Sequence, residues 1–300
     1  MNLVRFFLLL AVLIVPLRVL AAPNDLPSRC FVCAAASEAA YSGELLRARL
    51  VAAGWRIASY ETAGEKGTVG RFFHMVRTDE DGAETHLIAF PGTERGSDVW
   101  TDLRLGRVAF GGDSPAEFLA VRDRRVAERS ETPLVHRGFL DYVQAALFTD
   151  VLPAYGSRTA GEVIADELRA HPTARIYLTG HSLGGAAAVL AAARLSDMGV
   201  SAEQLVVTTF GAPAVGNAAF VRRYEGRFTL HRVVMSGDPM KDVLAAPLGF
   251  QQFGECVPWS PARSVAKFPH AMMVYVDAAI RQIYDAYGGD NAFLFLMGLP

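Results

Sequence analysis

The sequence is poor in cysteine, has no excess of either charge, and contains no apolar run as long as the roughly 20 residues that a membrane-spanning helix needs. The 29 basic and 31 acidic residues leave a net charge of −2, and the basic residues form no stripe, which argues against a nucleic-acid partner. A hydrophobic content of 51% is enough to bury a large core. The length of 300 residues therefore predicts one large domain rather than two small ones.

The three cysteines allow one disulfide and leave one thiol over. Cys30 and Cys33 form a C-x-x-C pair, but no strand precedes them as in a thioredoxin-like redox site, and no further ligands for zinc stand nearby. In an oxidising compartment we expect one disulfide. Which cysteines it joins stays open, because Cys256 is also available.

The first residues have the layout of a signal peptide. Met1–Arg5 is short and basic, Phe6–Leu17 is almost wholly apolar, and small-residue cleavage patterns end at residues 21 and 22. We expect residues 1–22 to be removed and residues 23–300 to form one domain that is secreted or periplasmic. The alternative is an uncleaved anchor, because the residues after the apolar run lengthen it.

Strands alternate with helices along the middle of the chain, which favours a mostly parallel central sheet with helices on both faces. Strands are predicted over Phe72–Thr78, Thr85–Phe90, Arg175–Thr179, Gln204–Phe210 and Leu230–Met235. Helices are predicted over Ala34–Ala53, Gly138–Ala154, Gly161–Ala170, Ala186–Met198 and Ala271–Ile280, with a further helix from Asn217.

Residues 180–184 read G-H-S-L-G and lie between a β-rich run and a strong helix former. In this G-x-S-x-G pattern a serine stands on a sharp strand-to-helix turn, and side chains at the glycine positions would collide with the neighbouring strand and helix. Ser182 is therefore the candidate nucleophile of a serine hydrolase with the α/β-hydrolase fold. The alternative is a serine that only caps the following helix.

An acid and then a histidine must follow the serine along a chain of this fold. His270 can lie on a loop over the sheet, and Asp238 follows a predicted strand at its carboxyl end, where the sites of open α/β sheets form. We expect His270 to take the proton of Ser182 and Asp238 to hold the imidazole in the right tautomer. Asp242 is the second candidate acid, whereas His231 lies at the start of a strand.

These motifs resemble the class 3 lipase family, the α/β-hydrolases that include the triacylglycerol lipases of filamentous fungi. The resemblance covers roughly residues 72–275. Besides the serine turn, it rests on the segments His86–Thr93, Trp100–Leu103, Val135–Phe139, Thr209–Asn217 and Arg232–Pro239, and on His270 with Tyr275.

The resemblance implies an oxyanion hole made by the backbone N–H groups of Leu183 and Thr93, with the Thr93 hydroxyl as a further donor. It also implies a short lid at Glu94–Trp100. The insert that follows, Arg104–Thr132, is either a cap over the site or a surface excursion, so a lid or cap is expected within residues 94–132.

The expected function is hydrolysis of carboxylic esters of lipids, as a triacylglycerol lipase or esterase, without a cofactor or a metal. The expected partners are a lipid or other ester substrate and, transiently, a lipid–water interface. The alternatives are a phospholipase or another acyl-ester esterase with the same three residues, and a non-catalytic lipid-binding module that has kept the fold.

Overall fold

The computed structural model describes residues 25–41, 43–64, 67–78, 82, 84–92, 106–124, 131–153, 156, 158–244 and 248–289. The α-helices in this part of the chain are α1 Leu26–Tyr41, α2 Glu44–Ala52, α3 Pro115–Arg122, α4 Arg137–Val143, α5 Ala160–Ala170, α6 Leu183–Asp197, α7 Ala218–Tyr224 and α8 Met272–Tyr287. The strands are β1 Arg56–Ala63, β2 Val69–Thr78, β3 Glu84–Phe90, β4 Arg107–Ala109, β5 Leu134–His136, β6 Val151–Leu152, β7 Arg158–Thr159, β8 Ile176–His181, β9 Leu205–Phe210, β10 Thr229–Met235 and β11 Glu255–Trp259. None of the described helices is both long and apolar enough to span a bilayer.

Within the described residues, the central sheet has seven strands, in the order β1-β2-β3-β8-β9-β10-β11. β2 is antiparallel to both β1 and β3, and every neighbouring pair from β3 to β11 is parallel. β8 and β9 lie in the middle and are buried over their whole lengths, as strands covered by helices on both faces are. The predicted parallel strands are confirmed, whereas the edge strands β1 and β11 were not predicted.

Two hydrophobic cores lie on opposite faces of this sheet. Leu87 and Tyr177 pack among residues of α1, α2 and α8, and their chain neighbours Ile88 and Leu178 pack among residues of α4, α5 and α6. This division follows because successive side chains of a strand point to opposite faces. The predicted sheet with helices on both faces is therefore confirmed.

The helix predicted over Ala34–Ala53 is wrong in its extent. The structure has two helices there, and Gly43 between them adopts a φ of −71° and a ψ of 70°, outside the helical region. Helix α1 begins earlier than predicted, at Leu26, and its Cys30 and Cys33 face the core. A short break at a glycine is a weak signal inside an alanine-rich stretch, because most residues of the stretch favour a helix.

The helix predicted over Gly138–Ala154 is also wrong in part, because α4 changes at Gln144 into a π-helix that ends at Thr149. The Gln144 side chain donates to the carbonyl oxygen of Phe148 at 3.1 Å, and the Thr62 hydroxyl donates to that of Ala145 at 2.8 Å. Side chains thus bond to backbone oxygens of this segment, and one of them comes from β1. Such a bond between distant residues is invisible to helix periodicity.

The described part of the insert, residues 106–124, contributes two aromatic side chains to the domain core. Phe110 and Phe118 are almost fully buried, and the guanidinium carbon of Arg194 in α6 lies 3.6 Å from the centre of the Phe118 ring. Arg194 also donates to the Gln144 side chain at 3.1 Å, and burial lowers its pKa to about 9. A buried cation over an aromatic face thus joins α3 to the helix that follows Ser182.

Candidate active site

Ser182 stands on the turn between β8 and α6 in a strained backbone conformation. With a φ of 55° and a ψ of −122°, it is the one non-glycine residue with a positive φ in the described ranges. Such a conformation costs about 1–3 kcal/mol and persists only where the surrounding structure enforces it. Strain of this kind clusters at functional sites, which makes the turn a candidate for one.

The glycines on either side of Ser182 are required by close backbone packing. A Cβ on Gly180 would lie 2.2 Å from the carbonyl carbon of Gly184, and a Cβ on Gly184 would lie 2.1 Å from the carbonyl oxygen of Phe90 in β3. Backbone atoms cannot swing aside as a flexible side chain can. Any larger residue at these two positions would therefore collide with backbone atoms, as the sequence pattern implies.

Ser182, His270 and Asp238 meet at the carboxyl end of the central strands. The Nε2 atom of His270 lies 3.1 Å from the Ser182 Oγ, and the Nδ1 atom lies 2.9 Å from the Asp238 Oδ2. Both are hydrogen-bond distances. The Ser182 and Asp238 side chains are buried, whereas the His270 side chain is 33% exposed. One imidazole therefore bridges a buried carboxylate and a hydroxyl, with Nδ1 donating to the carboxylate and Nε2 accepting from the hydroxyl.

The second candidates of the sequence lie elsewhere. Asp242 is exposed and forms an ion pair with Lys241. His231 lies at the start of β10, where its Nε2 is 3.3 Å from a carboxylate oxygen of Glu255. The structure thus places neither group against Ser182.

The Asp238 carboxylate is held by donors on both oxygens. Oδ2 accepts from the Tyr275 hydroxyl at 2.5 Å besides the bond from His270, and Oδ1 accepts from the backbone N–H of Met240 at 2.9 Å. Burial by itself raises the pKa of Asp238, but the hydrogen bonds from His270 and Tyr275 and from the Met240 N–H outweigh it and hold the pKa below its ordinary value. The carboxylate is therefore ionised at neutral pH and can stabilise a positive charge on His270.

His181, the variable residue of the serine turn, lies directly behind the site. Its Nδ1 is 2.8 Å from the Tyr41 hydroxyl, and its Nε2 is 2.7 Å from the carbonyl oxygen of His270. Burial, together with the neighbouring His270, lowers the pKa of His181 to about 3, so its ring is neutral. Sequence reasoning missed His181, Tyr41 and the contact of Tyr275 with Asp238, since the motif leaves its second position free.

Two buried histidines, His136 and His181, and the half-buried His74 should make the fold sensitive to acid. Burial lowers the pKa of His74 and of His136 from 6.5 to about 4, and that of His181 to about 3. Below pH 6.5 the unfolded chain takes up protons on these residues, while the folded chain stays unprotonated there until about pH 4. The free energy of unfolding should therefore fall by about 2 kcal/mol for each histidine between pH 7 and pH 5.

Urea unfolding at pH 7 and pH 5 measures this loss. His74→Gln should reduce the difference between the two pH values. Equal pH dependence in the wild type and in His74→Gln would contradict the prediction.

The oxyanion candidates are only partly within the described residues. Leu183 is the first residue of α6, and the first N–H groups of a helix have no partner within it, so its N–H is available to a substrate oxygen. Thr93 and the predicted lid Glu94–Trp100 lie outside the described residues. The last described residue before Thr93 is Gly92, close to the place where the serine turn contacts β3 through Gly184 and Phe90.

The structure differs from the disulfide that the sequence suggested, because all three cysteines are free. Cys30 and Cys33 are both buried in the core beneath α1, while Cys256 is exposed on β11. Burial raises the pKa of the Cys33 thiol to about 11, which leaves it unreactive at neutral pH. Within the described ranges there is also no cluster of three histidine, cysteine or acidic side chains that could hold a metal ion.

Comparison with known proteins relates this chain to lipases. The family described as Lipase (class 3) matches residues 87–246. The "Lipase" of Rhizopus niveus is 34% identical over 119 residues, which are 39% of this chain and 28% of that protein. "Phospholipase A1-II 4" of Oryza sativa subsp. japonica is 27% identical over 231 residues, 68% of this chain and 54% of that protein. The chain thus spans less than two thirds of the length of these relatives.

Solved structures resemble most of this chain in fold. The crystal structure of a lipase from Rhizopus microsporus var. chinensis superposes with a TM-score of 0.56 at 22% identity, covering 80% of this chain and 75% of that one. At this identity the likeness concerns the fold alone. The predicted α/β-hydrolase fold is confirmed.

Proposed function

The chain belongs to the class 3 lipase family, and on this premise we propose that it is a serine hydrolase that cleaves carboxylic esters of lipids through an acyl-enzyme intermediate. One observation carries the proposal: the His270 Nε2 lies 3.1 Å from the Ser182 Oγ, while the His270 Nδ1 lies 2.9 Å from Asp238. A hydroxyl, an imidazole and a buried carboxylate in this order are the groups of nucleophilic ester hydrolysis.

In the first half of the reaction, the Ser182 Oγ attacks the ester carbonyl carbon while its proton passes to the His270 Nε2. The resulting imidazolium is stabilised by the Asp238 carboxylate, and the tetrahedral intermediate collapses as the proton moves to the leaving alcohol. In the second half, His270 takes a proton from water, which attacks the acyl-serine. The serine then leaves with that proton, so the enzyme returns to its starting state and the fatty acid is released.

The oxyanion of each tetrahedral intermediate needs donors aimed at it. We assign this role to the N–H of Leu183 and, as the family resemblance implies, to the N–H and hydroxyl of Thr93. The start of α6 supports the first assignment, because a helix N-terminus favours negative charge. A donor of this kind is worth about 3–4 kcal/mol in the transition state.

A fluorophosphonate probe tests the proposal directly. It should label the wild-type protein once, on the peptide that contains Ser182, and hydrolysis of p-nitrophenyl esters should stop in proportion to labelling. A folded protein that neither reacts with the probe nor hydrolyses any ester would refute the proposed activity and would favour a non-catalytic lipid-binding module.

A phospholipase is the second candidate. It is favoured by the rice relative, whose alignment covers 68% of this chain. Hydrolysis of a triacylglycerol and of a phosphatidylcholine with identical acyl chains separates the two activities. Preferential release of fatty acid from the phospholipid would replace the triacylglycerol assignment without changing the roles of Ser182, Asp238 and His270.

An apolar rim next to the base, formed by Phe268 and Met273, is the surface through which we propose contact with a lipid–water interface. These side chains are 68% and 56% exposed and flank His270 at a distance of two and three residues. Arg263 and Lys267 are exposed on the same segment. Apolar side chains beside positive charges suit a surface of anionic lipid, which offers both hydrocarbon and negative head groups.

Replacing both rim residues with serine should weaken binding to phosphatidylglycerol vesicles about tenfold for each residue, because each side chain loses roughly 1.5 kcal/mol or more of apolar burial. Vesicle cosedimentation measures this, and kcat/KM for a soluble short-chain ester should stay within twofold. Val51→Ser is the matched control, since Val51 is 54% exposed and lies away from the active site. It precedes β1, whose first residue pairs with Val76, near the end of β2 that lies beside the start of β3 rather than beside its active-site end. Equal losses in the control and in the rim variant would contradict the role of the rim.

We further propose that residues 23–300 form one exported domain, with the lid or cap within residues 94–132. The packing of α1 and α8 in one core supports a single domain, because these helices lie near the two ends of the described chain. N-terminal sequencing of protein from the periplasm and the culture medium tests export, with a new terminus near residue 23 as the expected result. Full-length protein retained in the cell would contradict it.

A further inference from the structure

We propose that the Tyr41 hydroxyl and the His181 imidazole form a positioning relay that holds the backbone of His270, and with it the reacting imidazole, against Ser182. The inference rests on the proposed function, in which His270 is the base. It concerns two residues that do not touch the substrate and act through His270.

The hydrogen bonds define the protonation of every group in the relay. The carbonyl oxygen of His270 can only accept, so the His181 Nε2 at 2.7 Å must carry a proton and donate it. A neutral imidazole has one proton, so the His181 Nδ1 must accept, and the Tyr41 hydroxyl at 2.8 Å must donate to it. Tyr41 therefore selects the tautomer of His181 that can hold His270.

The relay joins parts of the chain that are far apart in sequence. Tyr41 is the last residue of α1, and a Cβ on Gly92 would lie 1.9 Å from its hydroxyl oxygen, so the hydroxyl rests against the backbone that follows β3. His181 ends β8 and is 5% exposed. The ring of His181 also lies against the ring of His270, with 4.5 Å between their centroids. A rigid helix and two central strands are thus connected to the loop that carries the base.

This loop needs such a connection. Its described backbone hydrogen bonds are local, such as those from Phe268 N–H to the Val265 oxygen and from Ala271 N–H to the Phe268 oxygen. Neither local bond reaches the sheet, whereas the bond from His181 does. A shift of the reacting groups by about 1 Å can lower a rate by about 10²-fold. Fixing the carbonyl of His270 fixes its Cα and hence the distance from Nε2 to the serine oxygen.

The test compares three substitutions that remove different parts of the relay. His181→Phe keeps a ring but removes both hydrogen bonds, His181→Gln keeps an N–H that can reach the His270 oxygen, and Tyr41→Phe removes only the hydroxyl. For a soluble p-nitrophenyl ester we expect kcat to fall about 100-fold in His181→Phe and about tenfold in Tyr41→Phe, with KM within threefold of the wild type. His181→Gln should recover at least tenfold of the loss in His181→Phe.

Ser37→Ala is the matched control on the same helix, because the Ser37 hydroxyl is also buried and bonds a hydroxyl, that of Thr179, at 3.1 Å. It should lower thermal stability without changing kcat. If His181→Phe and His181→Gln have equal kcat, or if kcat falls only with the folded fraction as in a purely structural role, the relay is refuted. Should His181→Phe fail to fold, Tyr41→Phe and His181→Gln carry the same comparison.

A readout without turnover separates this inference from the proposed activity. In nitrogen NMR spectra of the imidazoles, His181 should show a proton on Nε2 alone and should stay neutral down to pH 5. Tyr41→Phe should convert this signal into a mixture of tautomers. A wild-type protein without esterase activity but with this spectrum would overturn the proposed function and leave the hydrogen-bonded link intact. A proton on Nδ1 of His181 in the wild type would overturn the relay itself.

Discussion

Replacing Ser182 with alanine should lower kcat for ester hydrolysis by about 10⁴–10⁶-fold and leave the protein folded. The side chain supplies the atom that bonds to the acyl carbon, and the hydroxyl accounts for one described hydrogen bond, to His270 at 3.1 Å. Residual catalysis would come from binding and from oxyanion donors alone. Steady-state hydrolysis of a soluble ester, together with the thermal unfolding midpoint, measures both parts of the prediction.

Ser182→Gly is the control that separates chemistry from strain. Glycine adopts a positive φ without penalty, so this variant should be inactive and yet about 1 kcal/mol more stable than Ser182→Ala, in which the strain at a φ of 55° remains. Activity in either variant above about 1% of the wild type would place the nucleophile at another residue. A wild-type level of labelling by a fluorophosphonate in these variants would lead to the same conclusion.

Asp238→Asn should lower kcat by about 10⁴-fold with little change in KM. The carboxylate accepts from the His270 Nδ1 at 2.9 Å and from the Tyr275 hydroxyl at 2.5 Å. An amide in its place can donate to Nδ1, which would leave the proton on Nε2, facing Ser182. In that tautomer the imidazole cannot accept the serine proton, and the negative charge that stabilises the imidazolium is also lost.

Asp242→Asn is the matched control, because Asp242 is an exposed acid four residues later that forms an ion pair with Lys241. Its kcat should stay within twofold of the wild type. The pH profile gives a second readout, since Asp238→Asn should lose most of its rate at neutral pH and regain part of it where hydroxide replaces the general base. Equal kcat values for the two asparagine variants would contradict the role of Asp238.

The sequence was informative about the site wherever the physical cause is local. The pattern of residues 180–184 predicts a strand, a strained turn and a helix in immediate succession, and the positive φ at Ser182 is the turn that it requires. Asp238 and His270 were selected by their order along the chain, Asp238 also because it follows a predicted strand, and His270 because it precedes a predicted helix and can lie on a loop over the sheet. The structure brings both into hydrogen-bond contact in one line with Ser182, and their catalytic roles stay a prediction until the variants are measured.

Long-range contacts were beyond the reach of the sequence. The π-helix at Gln144–Thr149 receives a hydrogen bond from Thr62 in β1, and Arg194 is buried over a ring from the insert. Edge strand β1 is mostly exposed and polar, so its identity depends on pairing with β2 rather than on its own alternation. The disulfide expected from the cysteine count is also absent. Cys30 and Cys33 are free thiols buried in the core beneath α1, and Cys256 is exposed on β11.

The order of residues along the chain was enough to predict a hydroxyl on a glycine-lined turn, followed by an acid and an imidazole. This prediction was possible because steric exclusion and strand–helix alternation act between near neighbours. Only the tertiary structure decided how these groups are held. Tyr41 and His181 are 140 positions apart in the sequence, and His181 and His270 are 89 positions apart, yet hydrogen bonds of 2.8 Å and 2.7 Å join them. Such bonds depend on how helices stack on the sheet, and no spacing along the chain encodes that stacking.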